Sequence, residues 1–247
     1  MSTHESQTNE ILFISDLHLS PEYPATVQRF LNFLNNRARK ADAIFILGDL
    51  FDAWIGDDNN ETPYQDIRVQ LGLLTSSGTD VLIQHGNRDF LLGDDFCRHT
   101  GTQLIPEEMV VDLFGTKTLL MHGDTLCTDD TGYLEARKFL RSDAFASDFL
   151  ARKLEKRKAI AADYRKQSGE ATSLLPGDIM DVNQSAVESV MNKHGVTRLI
   201  HGHTHRQARH QFEINAKPCE RIVLGEWHSD QGMALSVTPD GVKEITV

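Results

Sequence analysis

Five short apolar runs in this chain break off at residues able to hold a metal ion or a phosphate, and that recurrence limits the fold more than any other feature of the sequence. "ILFISDLH" ends in Asp16 and His18, "AIFILGD" in Asp49, and "VLIQHGNRD" in Asn87, Arg88 and Asp89. "TKTLLMHGD" ends in His122 and Asp124, and "RLIHGHTH" in His203 and His205. Brief apolar runs bounded by turn residues read as buried strands. After the first run Val27, Phe30, Leu31, Leu34 and Ala38 recur at helical spacing, and a shorter stripe of Ile67, Leu71 and Leu74 follows the second. Strands alternating with helices predict an α/β fold whose parallel strands are covered by helices, with ligands bound beyond the carboxyl ends of the strands. The five polar endings are therefore expected to converge.

The 247 residues are expected to form a single domain, 1–247, with a mostly helical insertion or lid at about 128–195 that contains no comparable strand. "RIVLGEW" and "MALSVTPDGVKEITV" predict strands and a hairpin turning at Pro-Asp-Gly, closing a second sheet. No apolar run approaches the roughly 18 residues of a membrane span. The polar start "MSTHESQTNE" lacks the form of a secretion signal, and the chain is expected to stay in the cytoplasm. Cys97, Cys127 and Cys219 have neither a paired framework nor CxxC spacing, and read as reduced and structural. A net charge of −11 argues against nucleic acid as a partner, since such binding rests on a basic surface.

Asp16, His18, Asp49, Asn87, His122, His203 and His205 offer more oxygen and nitrogen ligands than one four-coordinate ion takes. Two ions fit better, bridged by one carboxylate, for which Asp49 is the candidate. Such pairs hold a phosphate and activate water for in-line attack. With no thiolate, the set suits Mn, Fe, Zn or Co, and spacing does not choose among them. Taken singly, D-x-H arises by chance, "GD" is a common turn, and "HGHTH" is a plausible polar loop. Their order at five successive strand ends is what carries the argument. His85 and His201 are expected to support the site or the core, and Trp227 and His228 to close the site wall.

In that order, D-x-H, "GDLFD", "GNRD", "HGD" and "GHTH" resemble the calcineurin-like metallophosphoesterase superfamily. The longer strings "ILGDLFDAWIGDD", "HGNRDFLLG", "MHGDTLCTDD", "IMDVNQ" and "HGHTHR" are similar to the UDP-2,3-diacylglucosamine hydrolase family of lipid A biosynthesis. The resemblance implies an α/β/β/α sandwich with a helical lid and two Mn2+. Asp16, His18 and His205 would hold one ion, Asn87, His122 and His203 the other, and Asp49 both. It implies cleavage of the pyrophosphate bond of UDP-2,3-diacylglucosamine to UMP and 2,3-diacylglucosamine 1-phosphate. Arg88 stands where most of the superfamily has His, a permanently charged fork suited to phosphate. Asn87, Arg88, Asp130, Ser168 and His203 are the implied substrate contacts. Thr172 and Leu175 depart from the Asn and Lys of the family, and Gln207 from its Pro.

Residues 145–166 mix Arg152, Lys153, Lys156, Arg157, Lys158, Arg165 and Lys166 with Phe145, Phe149, Leu150, Leu154, Ile160 and Tyr164. Either the segment breaks into two helices or long basic stems run along apolar surface. Both suit a lid covering acyl chains, on a protein peripheral to the cytoplasmic face of the inner membrane, with a lipid-linked UDP-sugar as substrate and no obligate protein partner. The competing expectations are a relative acting on another nucleotide diphosphate or phosphodiester, and a non-catalytic scaffold.

Overall fold

A computed structural model describes residues 9–173 and 181–247, with side chains for all of these except 167–173. Its first half alternates strand and helix: β1 (Ile11–Ile14), α1 (Pro24–Asn36), β2 (Ala43–Leu47), α2 (Tyr64–Ser76), β3 (Asp80–Gln84), α3 (Asp94–Thr100) and β4 (Gln103–Ile105). The hairpin of β5 (Met109–Leu113) and β6 (Thr116–Leu120) precedes four helices, α4 (Thr131–Leu140), α5 (Asp143–Leu150), α6 (Leu154–Ser173) and α7 (Gln184–His194). β7 (Arg198–His201), β8 (Ala208–Ile214), β9 (Lys217–Val223), β10 (Met233–Thr238) and β11 (Gly241–Thr246) complete the chain.

The strands form two sheets, ordered β11-β10-β1-β2-β3-β4 and β5-β6-β7-β9-β8. Side chains alternate across a strand, so each strand feeds two layers. Leu12, Ile14, Ile44 and Ile46 face outward onto Phe30 and Leu34 of α1, Ile67 and Leu71 of α2 and Phe96 of α3. Phe13, Phe45 and Leu47 face inward, where they meet Leu120, Ile200 and Ile222 of the second sheet. Leu119 and Leu199 point the other way, against Val187, Val190 and Met191 of α7. The result is the expected α/β/β/α sandwich. α7 has clear ends in the sequence: Asn183 caps Ser185 and Ala186, Gly195 closes the other end in the left-handed conformation, and Lys193 and His194 sit in the last turn.

Two expectations change. The C-terminal hairpin β10-β11 joins the first sheet, antiparallel to β1, while "RIVL" in β9 lies in the second. The hairpin's pattern predicted pairing, but nothing in the pattern named the partner strand. α7, at the end of the segment expected to be a lid, is the outer layer of the second sheet, and α4 to α6 stand beside the site.

Of the two readings of the basic segment, the break into two helices is seen: α5 stops at Leu150 and α6 starts at Leu154. Arg157, one of the basic residues of that segment, is 3% exposed. It donates to both carboxylate oxygens of Asp58 and to the Ile55 carbonyl, pinning α6 to the loop after β2. Lys153 and Lys156 remain exposed.

Candidate metal centre and substrate cavity

Three of the five runs, the first, second and last, reverse sharply where they end. Asp16, His18, Asp49, His203 and His205 all have positive φ, between 48° and 70°. That region is uncommon for residues with a Cβ and costs about 1–3 kcal/mol at each position, so the rest of the fold must hold it. Close packing of the loops does so. A Cβ on Gly86 would lie 2.1 Å from the Asp49 carboxylate, and one on Gly202 would lie 2.4 Å from that of Asp16.

The first sheet delivers Asp16, His18, Asp49 and Asn87, and the second His122, His203 and His205. On one side His18 Nε2 and His205 Nε2 face each other at 3.2 Å, with Asp16 Oδ1 3.4 Å from His205. On the other, Asn87 Oδ1 is 2.9 Å from His122 Nε2 and 3.0 Å from His203 Nδ1. Asp49 Oδ2 stands between them, 3.9 Å from His18 Nε2 and 3.8 Å from His122 Nε2. Ligands bonded to one ion at about 2.0–2.2 Å lie roughly 3.0–3.5 Å apart, so both groupings have the spacing of a coordination shell.

Surrounding bonds fix Asp16, Asp49 and His122. Ser15 Oγ donates to Asp16 at 2.6 Å, the His203 N–H to Asp16 at 2.9 Å, and the Arg88 N–H to Asp49 at 2.8 Å. His122 Nδ1–H donates to the Leu47 carbonyl at 2.8 Å, leaving its Nε2 lone pair toward the site. Asp89, fully buried, accepts the Gly86 and Leu50 N–H groups at 2.8 Å each and so ties together the loops carrying Asn87 and Asp49.

The electrostatics favour added positive charge. Burial pushes the Asp49 carboxyl up to about 6, opposed by His122 and reinforced by Asp16. Burial, then His122, holds His203 down to about 3, and burial holds His18 down to about 4, so both present the neutral, metal-binding form. His205 is raised to about 9: burial opposes charge there, but the hydrogen bond and charge of Asp16 and the charge of Glu226 outweigh it. A proton on His205 supplies the charge that a cation would bring. The donor set thus fits a pair of divalent ions.

Glu226 was not singled out from the sequence. Its Oε2 lies 2.7 Å from His205 Nδ1 and orients the imidazole. The signal was available, since "RIVLGE" is another apolar run ending in an acid. Glu226→Gln is expected to weaken metal affinity or turnover about 10–100-fold with little change in melting temperature, checked by calorimetric metal titration and steady-state rates.

Other sequence candidates lie apart from the cluster. His201 is buried, its Nδ1–H to the Gly202 carbonyl and its Nε2 accepting from Arg221. His85 bonds the Leu92 carbonyl. The Trp227 ring packs into the core on Phe30 and Phe33 rather than forming a site wall, its indole N–H donating to the Met233 carbonyl, though the Trp227 backbone N–H donates to the Asp16 carbonyl, and His228 pairs with Glu226. Asp124 turns from the cluster to accept from Tyr133 and Arg137. Gln207 bonds Glu244 of β11.

Beside the cluster lies a cavity of about 650 Å³. Asn87, Arg88, Asp130 and Tyr133 line it on the polar side, with Asp52, Asp129, Arg137 and Arg165, and Trp54, Ile55, Phe90, Leu91, Phe139, Leu140, Phe145 and Phe149 give it a large apolar lining. Phe145 and Phe149 stack at 5.5 Å, and Phe139 meets Phe145 edge-on at 5.3 Å. Asp130 also caps α4 by accepting the Tyr133 N–H. The side chains of Ser168 and Thr172, and Leu175 as a whole, lie outside the described residues.

The family model described as calcineurin-like phosphoesterase matches residues 10–207. Over 234 residues, 95% of this chain and 97% of the relative, the sequence is 50% identical to the UDP-2,3-diacylglucosamine hydrolase of Enterobacter sp. (strain 638). It is equally similar, over the same shares, to that of Escherichia coli O17:K52:H18 (strain UMN026 / ExPEC). Among solved structures it is similar to a novel archaeal phosphodiesterase, with 12% identity, 96% of this chain and 99% of that chain covered, and a TM-score of 0.49.

Proposed function

This chain belongs to the calcineurin-like phosphoesterases, in the family of the UDP-2,3-diacylglucosamine hydrolases, and from that premise we propose that it cleaves the pyrophosphate of UDP-2,3-diacylglucosamine to UMP and 2,3-diacylglucosamine 1-phosphate. Asp16, His18 and His205 would hold one Mn2+, Asn87, His122 and His203 the other, and Asp49 both. Bound there, the ions would supply Lewis acidity at the phosphate and lower the pKa of water. The chain's own groups do the rest. Arg88 projects into the cavity, and among the described residues its guanidinium makes no ion pair, which leaves its fork for the phosphate oxygens as charge builds on them. Asn87 and Asp130 face the same end, and Ser168 is assigned to substrate by its place in the family pattern. UMP and sugar phosphate are stable anions, so the leaving group needs no strong acid beside it.

The observation that supports this substrate most directly is the cavity itself, which joins Asn87 of the ligand cluster and Arg88 to a wall of stacked aromatic rings. A phosphate linked to acyl chains matches that polarity. Mass spectrometry of products from a panel of UDP-lipids and UDP-sugars in H2(18)O tests both substrate and bond. Label in UMP and preference for the acylated substrate are expected. Equal turnover of the unacylated sugars would favour a relative acting on another nucleotide diphosphate, and no turnover in the presence of Mn2+ would favour a scaffold.

Among the described residues no helix is long and apolar enough to cross a membrane. The lid would meet the cytoplasmic face of the inner membrane as a peripheral contact, with exposed Phe139, Leu150 and Tyr164 beside Lys153 and Lys156. Each basic residue near an anionic surface contributes about 1 kcal/mol. Reversing both Lys153 and Lys156 to Glu should therefore lower activity on substrate in anionic vesicles, fade in high salt, and spare hydrolysis of bis-p-nitrophenyl phosphate. Equal loss on both substrates would refute the membrane role.

A further inference from the structure

The loop carrying His122 and the loop carrying Asn87 come from different sheets, yet both are fastened to the same helix. Arg137 of α4 donates through Nε to Asp124 Oδ2 at 2.7 Å, two residues beyond His122, and Tyr133 donates to the same oxygen at 2.5 Å. Arg141, which caps the C-terminal end of α4 one turn further on, donates to the carbonyl of Gly86, immediately before Asn87, at 2.8 Å. The two arginines share Glu107 as acceptor. Both guanidinium groups are largely buried, with side chains 16% and 15% exposed, and the Asp124 side chain is 4% exposed. Charge-assisted bonds in such a setting are stronger and more directional than exposed pairs.

We infer that Arg141 and Arg137, with Glu107 between them, are positioning residues that join the cavity wall to the two ligand loops, setting where Asn87 and Arg88 stand relative to His122. The inference rests on the reading of the cluster as a hydrolytic metal centre. Gly86 cannot shift alone, because it is packed against the Asp49 carboxylate. Its carbonyl is therefore an effective point from which to hold Asn87. α4 also lines the cavity through Tyr133, Ala136, Phe139 and Leu140, so a displacement of this wall would be felt at both loops.

Arg141 gives the cleaner test, because Arg137 itself lines the cavity and Arg141 does not. In Arg141→Met, Mn2+ affinity measured by calorimetry on the metal-stripped protein should fall about 10–100-fold, the loss typical of removing a group that supports a ligand. Turnover of bis-p-nitrophenyl phosphate, which makes no use of the apolar cavity, should fall with it. Arg141→Lys should recover part of both, since an ammonium reaches one acceptor and lacks the planar fork. Wild-type metal affinity and diester turnover in a folded Arg141→Met, with any loss confined to KM for the lipid substrate, would overturn the inference and leave α4 as a wall alone. If Arg141→Met does not fold, Glu107→Gln serves: it keeps both arginines but weakens their shared anchor, and unchanged metal affinity there would overturn the inference equally. Failure of the wild type to bind Mn2+ or hydrolyse either substrate would instead count against the metal-centre reading.

Discussion

Asp49→Asn is expected to lower turnover below about 10⁻³ of wild type while leaving the fold intact. The amide keeps the size of the carboxylate, and its oxygen can still accept the Arg88 N–H where Asp49 Oδ1 now does, at 2.8 Å. What changes is the atom that stands 3.9 Å from His18 and 3.8 Å from His122. There a negative oxygen becomes an NH2 group whose hydrogens would face any cation held between the two histidines. Removing one stabilising donor from an active site typically costs about 10²–10³ in rate, and removing the carboxylate that would serve both proposed ions should exceed that. Elemental analysis and steady-state rates check it together, and near wild-type activity with two ions bound would refute the bridging role.

Arg88→Ala should lower the rate by about 10²–10³, equivalent to about 2.7–4 kcal/mol of transition-state stabilisation, with metal content largely retained. Its backbone, which supports Asp49, is untouched by the substitution, and its guanidinium lines the cavity, where its charge reaches His18 and Asp49 without being one of the ligands. Lys at this position should restore activity only in part, lacking the fork that spans two phosphate oxygens. Loss of metal in Arg88→Ala would mean that the side chain supports the cluster instead of acting on the substrate.

How far these positions could be read from the sequence follows from what a short pattern encodes. Asp16, His18, Asp49, Asn87, His122, His203 and His205 each end an apolar run, and strand ends in α/β sheets face one edge, so their convergence was legible from local order alone. Which sheet a strand joins depends on partners far along the chain, and β10-β11 was placed in the wrong one for that reason. Helical spacing likewise could not show that Arg157 points inward, because its partner Asp58 lies 99 residues away. Glu226 and Asp124 show the limit from both sides. Each is an acid just after a strand, yet one reaches His205 and the other turns to α4, a choice set by packing that the local sequence does not record.

The division of ligands between the sheets has a thermodynamic corollary. Four of the seven come from one sheet and three from the other, so an ion bound among them spans the seam of the sandwich as a cross-link would. An unfolded chain has no such assembled cage, and any free energy of binding to the native cage is added to the work of parting the sheets. At a free metal concentration 100 times the dissociation constant this amounts to about 2.7 kcal/mol. Chelation should accordingly lower the melting temperature by several degrees and loosen the termini of β1, β2, β6 and β7 together, read as a concerted rise in their amide exchange. Metal supply would then govern how long each molecule persists as well as how fast it turns over, and a cell short of the metal would lose the protein itself and not merely its activity.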